Sequence, residues 1–258
     1  GTANNRKKTL QNVDARISST GSLQINSREL ATETNSMIVL NPSNTAVSNT
    51  LVLNNEGFVS SLPPGYLSWN SNSSSPYNFP LGSSDGTLRY RPVVIEPKST
   101  SANTYYARLN NTSGDTYGYN LSQHETEIET LNSLFFHSIE QELNIQNADV
   151  SIAYLPVSDG DWSALAQWDD GSIMWNSIAP ANASNIGNYN ALQKVDWDFA
   201  NPNHPYILVN LEEELNIPNV FTPNQDGAND FYEVNGKGIT EYNIVIVNRW
   251  GNVVFESD

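Results

Sequence analysis

Residues 217–258 read IPNVFTPNQDGANDFYEVNGKGITEYNIVIVNRWGNVVFESD, and this stretch decides the fold class. Pro218 and Pro223 bracket the short apolar pair Val220-Phe221. The polar run Asn224 to Asp230 follows, rich in Asn, Asp and Gly, the residues that close turns through side-chain hydrogen bonds or a positive φ. Tyr242 to Val247 is then a β-branched run of strand type. It stops at Asn248-Arg249-Trp250-Gly251-Asn252, and a second apolar run, Val253-Val254-Phe255, leaves that turn. Two apolar runs around a Gly/Asn turn spell a β-hairpin with a Trp at its corner, and Arg249 beside Trp250 can stack on the indole and fix the turn.

The same grammar runs through the whole chain. Its 258 residues carry 13 Pro and 15 Gly among many Asn and Ser, and helical periodicity is scarce, so short strands joined by turns are expected. The expected class is all-β: β-sandwich-type modules followed by a small, partial β-sandwich at the C-terminus. The length suffices for one large β domain or two smaller ones. With 28 acidic against 12 basic residues the net charge is −16, and only Arg6-Lys7-Lys8 clusters positive charge. Nucleic acid and anionic membranes are therefore poor partners. The absence of cysteine excludes disulfides, thiolate metal sites and a cysteine nucleophile. No run of about 18 apolar residues occurs, and no segment of this sequence is expected to be a signal peptide. The opening Gly1-Thr2-Ala3-Asn4-Asn5-Arg6 has the character of mid-sequence, so the chain reads as the C-terminal part of a longer protein.

Three segments are expected. Residues 1–60 alternate short apolar patches (Leu23-Gln24-Ile25, Met37 to Leu40, Leu51 to Leu53, Phe58-Val59) with Asn/Gly/Ser breaks. They read as a short-strand β layer, either a solenoid step or the first sheet of a sandwich, with no exact repeat. Residues 61–215 read as a β-sandwich module. Its strands include Leu88 to Ile95, then Thr104 to Leu109 with Tyr105, Ala107 and Leu109 on one face, then Val150 to Leu155 and Tyr206 to Leu211. A hairpin is expected where Leu165 to Trp168 and Ser172 to Trp175 flank Asp170-Gly171. Residues 120–147 space Leu121, Ile128, Leu131, Leu134, Phe135, Ile139 and Leu143 partly at helical intervals, a helix pattern opposed by Asn120, Ser122, Asn132 and Ser133. Glu212-Glu213-Glu214 marks an exit and a linker toward Ile217, and residues 216–258 form the last segment.

That last segment resembles the gliding-motility-associated C-terminal domain of Bacteroidetes, the type B sorting domain of the type IX secretion system. Ile217 to Asp230 follow the family's proline-led block, with Gln225 where Gly is usual, and Val247 to Ser257 follow its Asn-Arg-Trp-Gly block closely. The resemblance singles out Pro218, Phe221, Pro223, Asn224, Asp226, Gly227, Asn229, Asp230, Asn248, Arg249, Trp250 and Gly251 as the secretion-signal motif. The family domain normally continues with a Trp-Asp-Gly turn and a closing strand pair, so residues 216–258 are expected to be a truncated copy. More loosely, Trp69-Asn70, Tyr77 to Gly82 and Tyr90 to Val93 resemble a β-sandwich module of large Bacteroidetes surface proteins, for which no defined activity is implied. In that family setting, residues 120–147 read as a strand pair.

The resemblance implies a secreted, adhesin-like cell-surface protein, displayed outside the outer membrane and free of catalysis. Its implied partners are the type IX translocon and its outer-membrane accessory proteins, with surface polysaccharide as a ligand. The alternative is a carbohydrate-binding module of a secreted polysaccharide-degrading enzyme. Four tryptophans, Trp162, Trp168, Trp175 and Trp197, are candidates for sugar stacking, set against a role in the core, where Trp packs naturally. No cofactor is expected except calcium. Thr222, Asn224, Asp226, Gly227, Asp230 and Glu233 fall at positions 1, 3, 5, 6, 9 and 12 of a calcium loop, with Asn224, Asp226, Asp230 and Glu233 as oxygen ligands. A self-capped Asx turn explains the same residues. Asp169, Asp170, Asp196, Asp198 and Glu212 to Glu214 could offer a glycosidase pair, but turn and surface roles fit acidic residues this common. The histidines His124, His137 and His204 are too dispersed for a zinc site.

Overall fold

The computed structural model describes residues 7–143, 146–178, 181–199, 205–212, 222, 224, 231–232 and 243–256. The chain divides into two compact units, Gly1–Leu211 and Glu212–Asp258. Among the described residues of each, the regular structure is mostly strand. Among the described residues, helix is confined to one α-turn, α1 (Pro156–Asp159), and a 3-10 turn, Gly114–Tyr117.

The larger unit begins as a solenoid. Its strands are β1 (Lys7–Thr9), β2 (Ala15–Ile17), β3 (Leu23–Asn26), β4 (Glu29–Glu33), β5 (Met37–Val39), β6 (Val47–Asn49), β7 (Phe58–Ser61) and β8 (Leu67–Ser71). They stack in three parallel ladders, β1-β4-β7, β2-β5-β8 and β3-β6. Parallel pairing needs a crossover between partners, and here the other two faces of each coil supply it. Alternate side chains enter the interior, so Ile25, Ala31, Met37, Val39, Val47 and Val59 are buried. Glycine marks places where stacked coils meet. A Cβ at Gly57 would fall 1.9 Å from the Asn26 carbonyl oxygen, and one at Gly65 would fall 2.0 Å from that of Asn35. Of the two arrangements that the sequence leaves open, the ladders are those of a solenoid.

A sandwich follows, built from β9 (Tyr77–Phe79), β10 (Gly82–Ser83), β11 (Arg89–Tyr90), β12 (Val93–Pro97), β13 (Asn103–Asn110), β14 (Ile128–Leu131), β15 (Phe136–Gln141), β16 (Ala148–Tyr154), β17 (Ala164–Asp169), β18 (Met174–Ser177), β19 (Asn182–Ile186), β20 (Tyr189–Trp197) and β21 (Pro205–Leu211). One sheet runs β19-β20-β16-β12-β9, antiparallel throughout. The other runs β18-β17-β21-β15-β13-β8-β5-β2, with β14 also on β21. β8 is the hinge of this second sheet. It pairs in parallel with solenoid strand β5 on one side and antiparallel with β13 on the other. Both sheets feed one core: Tyr77, Phe79, Val93, Ile95, Val150, Ile152 and Leu192 from the first meet Leu67, Trp69, Tyr105, Ala107, Leu109, Ile139, Tyr206 and Leu208 from the second.

The all-β expectation therefore stands, with two local corrections. The division expected at residue 60 separates nothing, because the ladder β2-β5-β8 crosses it and Met37 and Val39 share a core with Trp69. The division expected near residue 216 lies close to the one after Leu211. The strand expected over Leu88 to Ile95 is two strands, β11 and β12, separated by Arg91-Pro92, where proline has no N–H to offer a ladder. The helical spacing over 120–147 does not make a helix. The buried Asn132 accepts from the Leu134 N–H at 2.9 Å and turns the chain between β14 and β15, as the family setting implies. The Asp170-Gly171 hairpin forms as expected, with Trp168 directly opposite Trp175.

Candidate functional site

The C-terminal unit contributes one described hairpin. β22 (Val245–Val247) pairs antiparallel with β23 (Val253–Glu256), with a shift in register between Ile246 and Val247. Asn248 organises the turn. Its side-chain oxygen accepts from the N–H groups of Trp250 at 3.0 Å and Asn252 at 3.1 Å. Its backbone carbonyl accepts from the Gly251 N–H at 2.9 Å, and its own N–H donates to the Asn252 carbonyl at 2.8 Å. Gly251 takes φ +82°, the left-handed region that favours glycine. The Arg249 guanidinium lies 4.4 Å from the centroid of the Trp250 ring, the stacking that the adjacent residues suggest. Trp250 is nonetheless 71% exposed. The corner thus presents a large, held aromatic to its surroundings, the kind of side chain that anchors protein contacts.

Residues 215–258 match the model of the CHU_C type IX secretion signal domain. The C-terminal segment is a type IX secretion signal domain. The signal domain implies a secreted protein and an encounter with the secretion machinery. The match spans the whole of the secretion-signal motif, of which Asn224, Asn248, Arg249, Trp250 and Gly251 lie among the described residues. No curated protein and no solved structure matches the chain.

The calcium-loop reading lies mostly outside the described residues, since Asp226, Gly227, Asp230 and Glu233 fall there together with Pro218, Phe221, Pro223 and Asn229. Thr222 and Asn224 are exposed, and the Asn224 N–H donates to the Thr222 carbonyl at 2.8 Å.

The four tryptophans of the larger unit do not make an exposed platform. Trp168 and Trp175 are buried, packed edge-to-face with centroids 5.5 Å apart, and Tyr119 packs edge-on against both. The hairpin register that pairs them puts both on the packed face of the sheet, so core packing prevails over sugar stacking. Trp162 donates to the Asp159 carbonyl at 3.0 Å, and Trp197 to the Tyr206 hydroxyl at 2.6 Å, both half-buried against the main core. The acidic candidates cap turns. Asp169 accepts from the Gly171 and Ser172 N–H groups and the Ser172 hydroxyl, Asp170 accepts from the Trp168 indole, and Asp196 from the Asn147 amide. Glu213 and Glu214 lie outside the described residues, as does His204.

Sequence reasoning missed a polar cluster where the solenoid meets the sandwich. Arg91 forms a bidentate ion pair with Asp159, through Nε to Oδ2 and through Nη2 to Oδ1 at 2.6 Å, and neither side chain reaches solvent appreciably. Above it a pocket of about 170 Å³ is lined by residues that include Glu56, Tyr90, Ser158 and Tyr189. The Tyr189 hydroxyl donates to Glu56 at 2.6 Å. Burial, reinforced by that carboxylate, holds the Tyr189 phenol well above its ordinary range. Burial likewise pushes Tyr90 up to about 12. Because the ion pair and the Tyr189–Glu56 bond are satisfied within the protein, the cluster ties Glu56 and Phe58 of the solenoid side to β11, α1 and β20. The available signal was an arginine in the apolar run Tyr90-Arg91-Pro92-Val93, a charge that a buried strand accepts only with a partner.

His137 completes the cluster. Its Nε2 lies 3.0 Å from the Arg91 carbonyl, so the ring donates from Nε2. Burial lowers its pKa to about 4, which keeps the ring neutral at pH 7. In the unfolded chain the imidazole titrates near 6.5, so between these values the unfolded state binds the extra proton. The stability that the neutral ring contributes is fully present above pH about 6.5 and is lost as pH falls toward 4, at up to ~1.4 kcal/mol per pH unit. Urea midpoints at pH 7 and pH 5 should therefore converge in His137→Gln relative to the parent. An unchanged difference would assign the pH dependence to other groups.

Proposed function

We propose that the chain is the C-terminal region of an adhesin-like cell-surface protein of a gliding Bacteroidetes bacterium. The signal domain directs export through the type IX translocon and retention on the outer-membrane exterior, and the solenoid–sandwich unit serves as the displayed stalk or adhesive part. The observation that carries this reading is the signal-domain match over residues 215–258, at the end of an acidic, cysteine-free β chain. Recognition is by the shape and strand surfaces of a folded β domain, with no chemistry on a substrate. Calcium would brace the Asn224 to Glu233 loop, and surface polysaccharide is the ligand class proposed for the upstream unit.

The test is a periplasm-directed fluorescent reporter fused to the C-terminal segment from Ile217 onward, with and without residues 61–216, in a gliding host. Reporter should reach the surface and medium, and should stay in the periplasm when the translocon is deleted. Retention in the periplasm by every fusion would remove the sorting role. Within the signal, Trp250→Ala should impair export while leaving the fold intact, because the ring is exposed. An aromatic anchor contributes about 2 kcal/mol or more to a protein contact, so recognition should weaken by ~30-fold. Export equal to the parent would make Trp250 a turn residue only.

A further inference from the structure

The second coil of the solenoid is longer than the first. Lys7 pairs with Glu29, and Glu29 with Phe58, the excess being the loop that carries Leu51 to Glu56. Both steps are parallel ladders, so the pairing itself does not call for the extra residues. Insertions in repeat folds map to one face, and that face often binds. Here the loop delivers Asn54 and Glu56 to the pocket of about 170 Å³ above the Arg91–Asp159 pair. Asn54 holds φ +64°, the left-handed region that asparagine tolerates better than most residues. Leu51, Val52 and Leu53 beside it stand exposed.

The walls of the pocket are aromatic and fixed. Tyr90 and Tyr189 meet edge-on with centroids 5.4 Å apart, and Phe58 packs on Tyr90 at 6.5 Å. Tyr189 is held by its bond to Glu56 and by the Arg91 guanidinium, 5.6 Å from its ring. Leu155 adds apolar wall, and Leu88, 55% exposed, forms the rim. Polar groups are few and placed. Glu56 is buried, and its Oε1 accepts from the Tyr189 hydroxyl at 2.6 Å and the Asn54 N–H at 3.1 Å. A carboxylate has about four lone-pair sites, so a ligand donor adds to these bonds and displaces neither. The exposed side-chain amide of Asn54 has no partner among the described residues.

The charges around the pocket balance. Glu56 and Asp159 are set against Arg91 and Arg89, the latter with Nε 3.8 Å from Asp159. Burial holds the Tyr90 and Tyr189 phenols above their ordinary range, so both stay protonated. Such a site has no net charge with which to select an ion. It matches a neutral ligand with a ring-sized apolar face and hydroxyls that can donate to a carboxylate and accept from an amide. At about 170 Å³ it is smaller than the roughly 300–1,000 Å³ of sites that enclose drug-sized ligands, so it has room for one ring.

We propose that this pocket binds a single neutral sugar ring at the end of a glycan chain. The ring would lie against Tyr90 and Tyr189, donate a hydroxyl to Glu56 and accept from the Asn54 amide, with Leu88 at its edge. The proposal rests on the polysaccharide reading of the upstream unit and moves the contact from the tryptophans to the seam of solenoid and sandwich. It also gives the longer second coil a purpose, since its extra loop supplies both polar contacts.

Isothermal titration calorimetry on the 258-residue chain tests it. The probes are the methyl glycosides and the trisaccharides of glucose, galactose, mannose and N-acetylglucosamine, with glucuronic acid as the charged counterpart. At least one neutral sugar should bind, its methyl glycoside about as well as its trisaccharide, because one ring is enclosed. Asn54→Ala should weaken binding ~5-fold and Glu56→Gln ~10-fold, the loss of a neutral and of a charge-assisted hydrogen bond. Asn54 is exposed, so its variant keeps the fold and decides the matter even if the urea midpoint of Glu56→Gln falls. Parent affinity in Asn54→Ala, or affinity that climbs with chain length, would put the sugar elsewhere and overturn the pocket while the polysaccharide reading stands. Binding of glucuronic acid alone would overturn the neutral class. Binding of none of the probes would overturn the pocket and the polysaccharide reading together.

Discussion

Asp159→Ala should lower the stability of the larger unit by about 3–5 kcal/mol, the loss typical when one partner leaves a buried ion pair. Asp159 is held from every side. It accepts from Arg91 through both oxygens, from the Leu155 N–H at 2.7 Å and from the Ser158 hydroxyl at 3.0 Å, and Arg89 Nε stands 3.8 Å away. Removing the carboxylate leaves two arginines at the seam. Arg91 would keep its bonds to the Tyr90 carbonyl and the Ser158 hydroxyl, and the faces of Phe135 and Tyr189 at 5.7 and 5.6 Å, but would lose its bidentate ion pair. Arg89 is already pushed below its ordinary range by burial, with Asp159 the favourable charge opposing that shift. The double variant Arg91→Met, Asp159→Leu should recover much of the loss, because a well-packed apolar pair costs no desolvation. Urea unfolding followed by tryptophan fluorescence reads both. A single-variant loss under about 1 kcal/mol would mean that water reaches the pair and screens it as it does at a surface.

Trp69→Ala should cost a similar amount, about 3–5 kcal/mol, as is usual when a buried large aromatic is truncated. Trp69 has no exposed surface and packs edge-to-face with Tyr77 at 5.2 Å and Phe79 at 5.5 Å, so the indole links β8 of one sheet to β9 of the other. Its Nε1 donates to the Asn41 carbonyl at 3.1 Å, on the chain that leaves β5. Trp69→Phe should lose less, keeping most of the packing and forfeiting that bond. The position makes a second, sharper expectation. β8 belongs to the solenoid ladder and to the sandwich, so hydrogen exchange in Trp69→Ala should speed up in β5 as well as in β13. Acceleration confined to β13 would separate the solenoid from the sandwich as a folding unit.

The strands were legible in the sequence wherever turn chemistry framed them. Asp170-Gly171 announced the hairpin that sets Trp168 against Trp175, and the alternation in Thr104 to Leu109 placed Tyr105, Ala107 and Leu109 on the core face. Asn248 to Asn252 announced the C-terminal turn and the Arg249–Trp250 stack. What stayed hidden was long-range. Strands as short as Ala15–Ile17 cannot display a period. The loop before Phe58 makes the second coil longer than the first, so the parallel ladders left no exact repeat. The polar breaks around residue 60 looked like a boundary because nothing local reveals that Met37 pairs with Leu67. Arg91 and Asp159 stand far apart in the chain, so the strand arginine shows no partner until the fold joins them. The tryptophans were legible as core or as ligand platform, and only burial decides between these.

The double membership of β8 also orders how this unit yields to force. Tension entering at Lys7 meets β1, which a single short ladder holds to β4. A strand at an open edge peels one bond at a time, so its resistance is that of a single bond and never of the ladder at once. The same pull arriving at β8 meets a strand gripped on both sides, by β5 and β13, with Trp69 locked between the sheets. The solenoid therefore releases chain first, and the sandwich that precedes the export domain holds while it does. Under load the larger unit therefore lengthens from its solenoid end while its sandwich stays folded.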